Sequence, residues 1–268
     1  MLKKIVIFET NLKRDKSMKR ILSYPLSAIY YLLFGLTLVI FHVVQWFSLR
    51  FFGYEAHKKS VDWMCYFLVA NTYILGTRYQ FEHLDRLPQG VPLIIASNHQ
   101  SFYDIPALVW FLRKHHIKFV SKLELSRGIP GISFNLRHGG SVLINRKDPR
   151  QALREIRKLS EYIETYNRAA VIFPEGTRSK TGLPRPFAES GLKVLCKYAP
   201  SAYVVPITVN NAWKMTSGGT FPMNLGNRLT FTIHEPIPVG TTPFDELFKQ
   251  TEKSVVDGLR TETLHKNC

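Results

Sequence analysis

Residues 98–104 read Asn98-His99-Gln100-Ser101-Phe102-Tyr103-Asp104 and follow the apolar run Leu93-Ile94-Ile95-Ala96. A His and an Asp at this spacing, in the turn that leaves a buried strand, can fold back onto each other. The carboxylate then holds one imidazole nitrogen while the other faces a substrate, which makes a general base. Taken alone, the spacing is common on solvated surfaces. A second polar block, Phe173-Pro174-Glu175-Gly176-Thr177-Arg178-Ser179, again follows an apolar run, Ala169-Ala170-Val171-Ile172. Two Gly- or Asn-marked turns at the ends of two buried strands predict one shared site at an edge of a sheet.

The elements that must position these turns alternate from about Phe81 onward. Strands are expected at 93–96, 117–121, 141–144, 169–173, 203–209 and 229–233. Helices are expected at 105–113, 150–163, through 192–197, and near 244–259. Strands alternating with helices predict an α/β fold with a mostly parallel sheet flanked by helices. The stretch Arg86-Leu87-Pro88-Gln89-Gly90-Val91-Pro92 reads as a connector, and the tail after Leu264 as frayed.

The chain has 268 residues and a formal charge of +16, so polyanions are the expected partners. The first 80 residues carry eleven Lys and Arg against four Asp and Glu, net +7, leaving +9 for the rest. No zinc-finger, RNP-like or homeodomain pattern points to nucleic acid, which is not an expected partner. Cys65, Cys196 and Cys268 lack disulfide or metal spacing, which suggests a reducing compartment. His42 and the His115-His116 pair also lack ligand spacing, so they read as packing or surface residues and no metal is expected.

Residues 1–80 differ in kind from the remainder. Between Ile21 and Leu49 there is no Lys, Arg, Asp or Glu, a run long enough to cross a bilayer as a helix. Its centre, Leu26–Val44, is almost wholly apolar or aromatic; basic residues precede it (Lys3, Lys4, Lys13, Arg14, Lys16, Lys19, Arg20), and Trp46, Phe47, Phe51, Phe52 and Tyr54 follow, the aromatics that favour membrane interfaces. A second apolar stretch covers Val61–Gly76. A cleaved signal peptide fits poorly, because no small-residue cleavage site follows. A buried soluble helix fits poorly because of the length. The expectation is an N-terminal membrane-embedded helix pair, about 21–49 and 61–76 within residues 1–80, followed by an α/β domain at 81–268. A spanning hairpin and two helices in one leaflet both keep that domain on the side of the basic N-terminus, the cytoplasmic face, and in a bacterium the inner membrane.

Four blocks together resemble the glycerolipid acyltransferases, most closely the 1-acylglycerol-3-phosphate (lysophosphatidic acid) acyltransferases. These are Asn98-His99 with Asp104; Lys122-Leu123-Glu124-Leu125 with Gly139-Gly140 and Ile144-Asn145-Arg146; Phe173–Ser179; and Val205-Pro206-Ile207. They occur in the family's order across residues 98–207. The chain departs from the family pattern at Asn145, where Asp is usual, and at Phe187-Ala188-Glu189-Ser190-Gly191, which replaces Phe-Lys-x-Gly and leaves Lys193 as the nearest lysine.

The resemblance implies transfer of an acyl chain from acyl-CoA or acyl-ACP, as co-substrate, to the free hydroxyl of lysophosphatidic acid, giving phosphatidic acid, with no bound cofactor. His99 would be the general base, and Asp104 would fix its tautomer. No Gly-x-Ser-x-Gly elbow is present, so direct transfer without an acyl-enzyme is expected. Glu175, Gly176, Thr177 and Arg178 suit phosphate capture, through close backbone approach, a hydroxyl and a bidentate guanidinium. A capped helix N-terminus is the plainer reading of those four residues. Arg146 and Lys122 are further phosphate-binding candidates, while Asn98 and Pro206 are expected to be structural near the site. Another lysophospholipid or a polyol phosphate as acceptor, or lipid-to-lipid transacylation, stays open. So does a catalytically silent protein that binds anionic membrane, although the paired His99 and Asp104 speak against it.

Overall fold

The computed structural model describes residues 2–260, with side chains from Ser17 onward. Cys268, the tail after Leu264 and the side chains of Lys3, Lys4, Lys13, Arg14 and Lys16 lie outside the described residues.

The chain begins with α1 (Leu2–Asn71), a helix interrupted at Gly53, whose φ of 79° and ψ of −168° leave the helical region. Only glycine takes this conformation at little cost, so the helix breaks there and folds into a hairpin of two arms. The arms are longer than the expected 21–49 and 61–76. The intervening 50–60 is helical on either side of Gly53, holding no Pro and no other Gly. Across the hairpin, Asn71 Nδ2 donates to Thr37 Oγ1 at 3.0 Å and the buried Gln45 amide donates to Met64 Sδ at 3.2 Å. The outer side of the first arm exposes Ile21, Leu22, Ile29, Leu32, Leu36, Val39, Ile40 and Val43 to solvent. The run Ser17–Leu75 is long and apolar enough, by length and composition, to cross a membrane.

Eight strands form one sheet among the described residues: β1 (Arg78–Glu82), β2 (Leu93–Ser97), β3 (Lys118–Lys122), β4 (Val142–Ile144), β5 (Ala169–Ile172), β6 (Tyr203–Asn210), β7 (Arg228–Ile233) and β8 (Ile237–Pro238). Their order is β1-β7-β6-β2-β5-β3-β4, with β8 also against β6. From β6 through β4 all neighbours are parallel, whereas β7 and β8 run antiparallel to β6. The sheet starts at Arg78, three residues before the expected domain boundary. There β1 pairs with β7 in parallel.

Five helices complete the fold: α2 (Asp104–Phe111), α3 (Ile132–His138), α4 (Pro149–Tyr166), α5 (Glu189–Tyr198) and α6 (Phe244–Asp257). The central strands are buried on both faces, so alternate side chains enter two separate cores. Leu93, Ile95, Val171, Val205 and Ile207 pack with the hairpin and α2. Ile94, Ala96, Ala170, Ile172 and Val204 pack with residues of α4, α5 and α6. After β2 the chain passes through α2 to β3 on one side. After β5 it passes through α5 to β6 on the other. The turns after β2 and β5 therefore diverge and open a crevice at the strand C-termini, where open α/β sheets bind ligands.

Gly131 is the point where the hairpin meets the domain. Its φ is +68°, and a Cβ there would lie 2.9 Å from Met64 Sδ and 3.1 Å from the Leu38 carbonyl oxygen. Its N–H donates to His42 Nδ1 at 3.2 Å. Gly131→Ala is expected to cost about 1–3 kcal/mol of stability through backbone strain alone. Limited proteolysis should then cleave between hairpin and domain sooner than in the parent protein.

Candidate active site

The turn after β2 closes on itself around one oxygen. Asp104 is fully buried at the start of α2, and its Oδ2 accepts from Gln100 N at 2.8 Å, Ser101 N at 2.9 Å and His99 Nδ1 at 2.9 Å. A carboxylate in the first helical turn is also favoured by the free N–H groups there. With Nδ1–H committed to Asp104, the tautomer that fits this network leaves Nε2 as an acceptor. The imidazole stacks on Phe173, centroid to centroid 4.0 Å and 14° between planes, and lines the crevice. The predicted pair therefore forms, with the geometry a general base requires.

Long-range polar contacts hold the two turns together. Asn98 grips β6 with both ends of its amide: Nδ2 donates to the Val209 carbonyl at 2.9 Å, and Oδ1 accepts from Val209 N at 2.7 Å. Ser179 N donates to the His99 carbonyl at 2.7 Å, tying the second block to the first. Gln100 went unnoticed in the sequence, yet its Oε1 accepts from Ala212 N at 3.1 Å and its Nε2 donates to the Gly182 carbonyl at 3.4 Å. No local pattern announces either contact, because the partners are about a hundred residues away. Pro206 lies within β6, not at its end. It sits opposite His234, whose N–H donates to the Pro206 carbonyl at 3.0 Å, just where β8 has ended and β7 takes over as neighbour. The missing proline N–H thus falls at a break in the ladder.

The crevice is a groove of about 850 Å3, large enough for a lipid-sized ligand. One end holds His99, Gly176, Thr177 and Arg178 with Lys122 and Arg146. Gly176 takes φ +67° with open space beside it, so its backbone is free to meet a ligand. Arg146 and Arg178 have no hydrogen-bond or ion-pair partner among the described residues, and Lys122 has only a 3.7 Å contact with the exposed Glu124. The other end is apolar, walled by Met64, Cys65 and Leu68 of the hairpin and by Phe102, Ile105, Val109, Ile132 and Leu136 of the domain.

One expected phosphate ligand does not face the groove. Glu175 is buried, and its Oε1 accepts from His99 N at 3.1 Å. It braces the His99 turn instead of offering its charge to the groove, where a carboxylate would repel phosphate. Burial raises its carboxyl from 4.5 to about 7, against the pull of the His99 amide. Asn145 explains its own departure from the usual Asp: its Oδ1 accepts from Lys147 N at 3.0 Å, a role open to any carbonyl or carboxylate oxygen. Lys193 points away from the groove and covers the Phe244 ring at 5.1 Å. Among the described residues no group of three or more His, Cys, Asp or Glu is placed to hold a metal ion.

A raised carboxyl ties stability to pH. The folded state favours protonated Glu175, so its contribution is complete below about 4.5 and is lost as pH rises through about 7. Glu175→Gln keeps the acceptor for His99 N. Between pH 5 and pH 8 the melting temperature of this variant should fall less than that of the parent. An identical fall in both would mean that Glu175 is ionised across the range.

Residues 78–210 match the family model described as Acyltransferase. The chain is 34% identical over 162 residues to the chloroplastic 1-acyl-sn-glycerol-3-phosphate acyltransferase of Arabidopsis thaliana, covering 60% of this chain and 44% of that protein. It is 22% identical over 198 residues to the 1-acyl-sn-glycerol-3-phosphate acyltransferase of Pseudomonas aeruginosa, covering 73% and 76%. The chain thus spans under half the length of the plant relatives it matches. Its fold is that of the crystal structure of the 1-acyl-sn-glycerophosphate acyltransferase PlsC from Thermotoga maritima, with a TM-score of 0.72, 24% identity, and coverage of 94% of this chain and 98% of that one.

Proposed function

We propose, from the match of residues 78–210 to the Acyltransferase family model, that this chain transfers an acyl chain from a cytoplasmic thioester, acyl-CoA or acyl-ACP, to the hydroxyl of lysophosphatidic acid. One observation carries the proposal: a His99–Asp104 pair opens onto a groove with two unpartnered guanidinium groups at one end and apolar walls at the other. A phosphorylated, single-chain lipid has both characters.

In this mechanism His99 Nε2 takes the acceptor hydroxyl proton as the oxygen attacks the thioester carbonyl. Asp104 stabilises the imidazolium that results, having already fixed the tautomer. Collapse of the tetrahedral intermediate breaks the carbon–sulfur bond, and the departing thiolate takes its proton from His99. Arg178 and Arg146 grip the acceptor phosphate, with Lys122 nearby and Thr177 adding a hydroxyl. The thioester arrives from water and the acceptor from a bilayer. The exposed apolar hairpin therefore seats the protein on the cytoplasmic face of a membrane, with the groove at the boundary.

A second acceptor class is favoured by one local fact. Ala188 and Ser190 line the groove without a cation, and Lys193 is occupied at Phe244. A lysophospholipid with a less charged headgroup meets little penalty at that rim.

His99→Ala is expected to reduce turnover by about 10²–10⁴-fold, with folding unchanged. Near-normal turnover would remove His99 from the mechanism. Arg178→Ala should weaken use of lysophosphatidic acid by about 1.5–3 kcal/mol, the scale of a charge-assisted hydrogen bond. In a labelled acyl-CoA assay with lysophosphatidic acid, glycerol phosphate and lysophosphatidylcholine side by side, the variant should lose least on the acceptor with the least exposed phosphate charge. Equal losses on all three would give Arg178 to the donor or to structure.

A further inference from the structure

A second polar cavity lies where the hairpin meets the N-terminal end of β3, adjoining the groove through Val109, Phe119, Asn135 and Ser141. It encloses about 30 Å3 and is lined by His57, Lys58 and Asp62 of the second arm and by Arg113, Lys118 and Asn135 of the domain, among others. That is more room than one water needs. Lys58 Nζ donates to Asp62 Oδ2 and to the Arg113 carbonyl, each at 2.6 Å, so the cavity's carboxylate is already engaged. Lys118, the first residue of β3, is 5% exposed, and among the described residues no carboxylate lies within ion-pair distance of it. Its ammonium sits 5.1 Å from the centre of the Tyr54 ring. Burial and the nearby Arg168 and Lys58 charges push it down to about 7. His57 is fully buried, and among the described residues neither of its ring nitrogens has a hydrogen-bond partner.

A buried ammonium with no carboxylate at ion-pair distance and only the longer-range pull of Asp62 and Glu55, beside a buried imidazole whose nitrogens lack a hydrogen-bond partner among the described residues, is costly twice over. An anion in the cavity removes both costs. We propose that this cavity binds a phosphate-class anion, held by Lys118 and His57, with Lys58 and Arg113 as outer cations. The surface beside it suggests where the phosphate comes from. Trp63 and Tyr66 are exposed on the hairpin and pack on Trp110 at 5.6 and 4.7 Å, and the Arg113 guanidinium covers Trp110 at 4.1 Å. Exposed amphipathic aromatics beside a cation suit the headgroup level of a bilayer. A lipid headgroup phosphate and free phosphate present the same chemistry to the cavity.

The test uses the full chain in nonionic detergent, carrying Arg146→Ala and Arg178→Ala so that the groove contributes no phosphate affinity. Calorimetric titration with inorganic phosphate should still show one site. Adding Lys118→Met or Lys118→Gln should weaken it at least about tenfold, the loss of one charge-assisted hydrogen bond. Lys114→Met, which removes an exposed cation nearby, should leave it unchanged. Without phosphate, Lys118→Met should melt no lower than its parent, because an unpaired buried charge has gone. In a second arm, the same proteins are floated with phosphatidylcholine vesicles containing or lacking phosphatidylglycerol. A Lys118-dependent preference for the anionic vesicles identifies a lipid headgroup as the source. Equal flotation with lost phosphate affinity identifies the free anion. If Lys118 substitution changes neither phosphate binding nor vesicle preference, the cavity is merely hydrated and the proposal fails.

Discussion

Asp104 Oδ2 receives three N–H groups at 2.8–2.9 Å in a site closed to solvent. Two of these donors are backbone amides, so the carboxylate shapes the turn as well as holding the imidazole. The turn keeps that shape only if β2 ends in a fixed place. β2 is fixed by parallel partners on both sides and by the Asn98 amide clasping Val209 of β6. The geometry of the His99–Asp104 pair therefore depends on the centre of the sheet, where the strands are buried on both faces. A loop held this way needs little reorganisation when a ligand arrives, because the His99, Gln100 and Ser101 amides already have their partners.

The same economy divides charge within the second block. The buried carboxyl of Glu175 is turned toward the His99 amide, while Arg178, three residues later, has no partner among the described residues and lines the groove. Two members of one short motif thus turn opposite ways, one into the turn and one into the groove. On the opposite wall Asn145 and Gln151 perform the corresponding service. Gln151 Oε1 accepts from Asn145 N at 2.8 Å and its Nε2 donates to the Leu143 carbonyl at 2.9 Å, so the residues flanking Arg146 are fixed while its guanidinium stays free.

Much of this was legible in the sequence, for a physical reason. Strands β2, β5 and β6 are buried on both faces and so read as unbroken apolar runs, and a polar turn after such a run can only lie at a sheet edge. The His99–Asp104 contact is local and is read from spacing. What escaped was non-local or short. β1 reads Arg-Tyr-Gln-Phe-Glu, half-exposed, and its place in the sheet depends on β7, some 150 residues later. α3 has seven residues between Gly131 and Gly139, too few for a periodicity to show. Glu175 had the composition of a ligand-binding residue, and only the path of its neighbours reveals that it turns inward.

The groove wall has a further consequence for how such a protein can change. Met64, Cys65 and Leu68 belong to the hairpin, and they complete a surface whose other half is α2 and α3. A hairpin borrowed from a relative would bring new groove-lining side chains with it, so the apolar hairpin and the shape of the groove are inherited as one trait. Drift in the outward residues of the first arm is free of that constraint, whereas the inward face of the second arm must change in step with residues 102–136. The hairpin is in this sense part of the groove itself, and a chimaera drawn at the apparent domain boundary cuts through the groove wall.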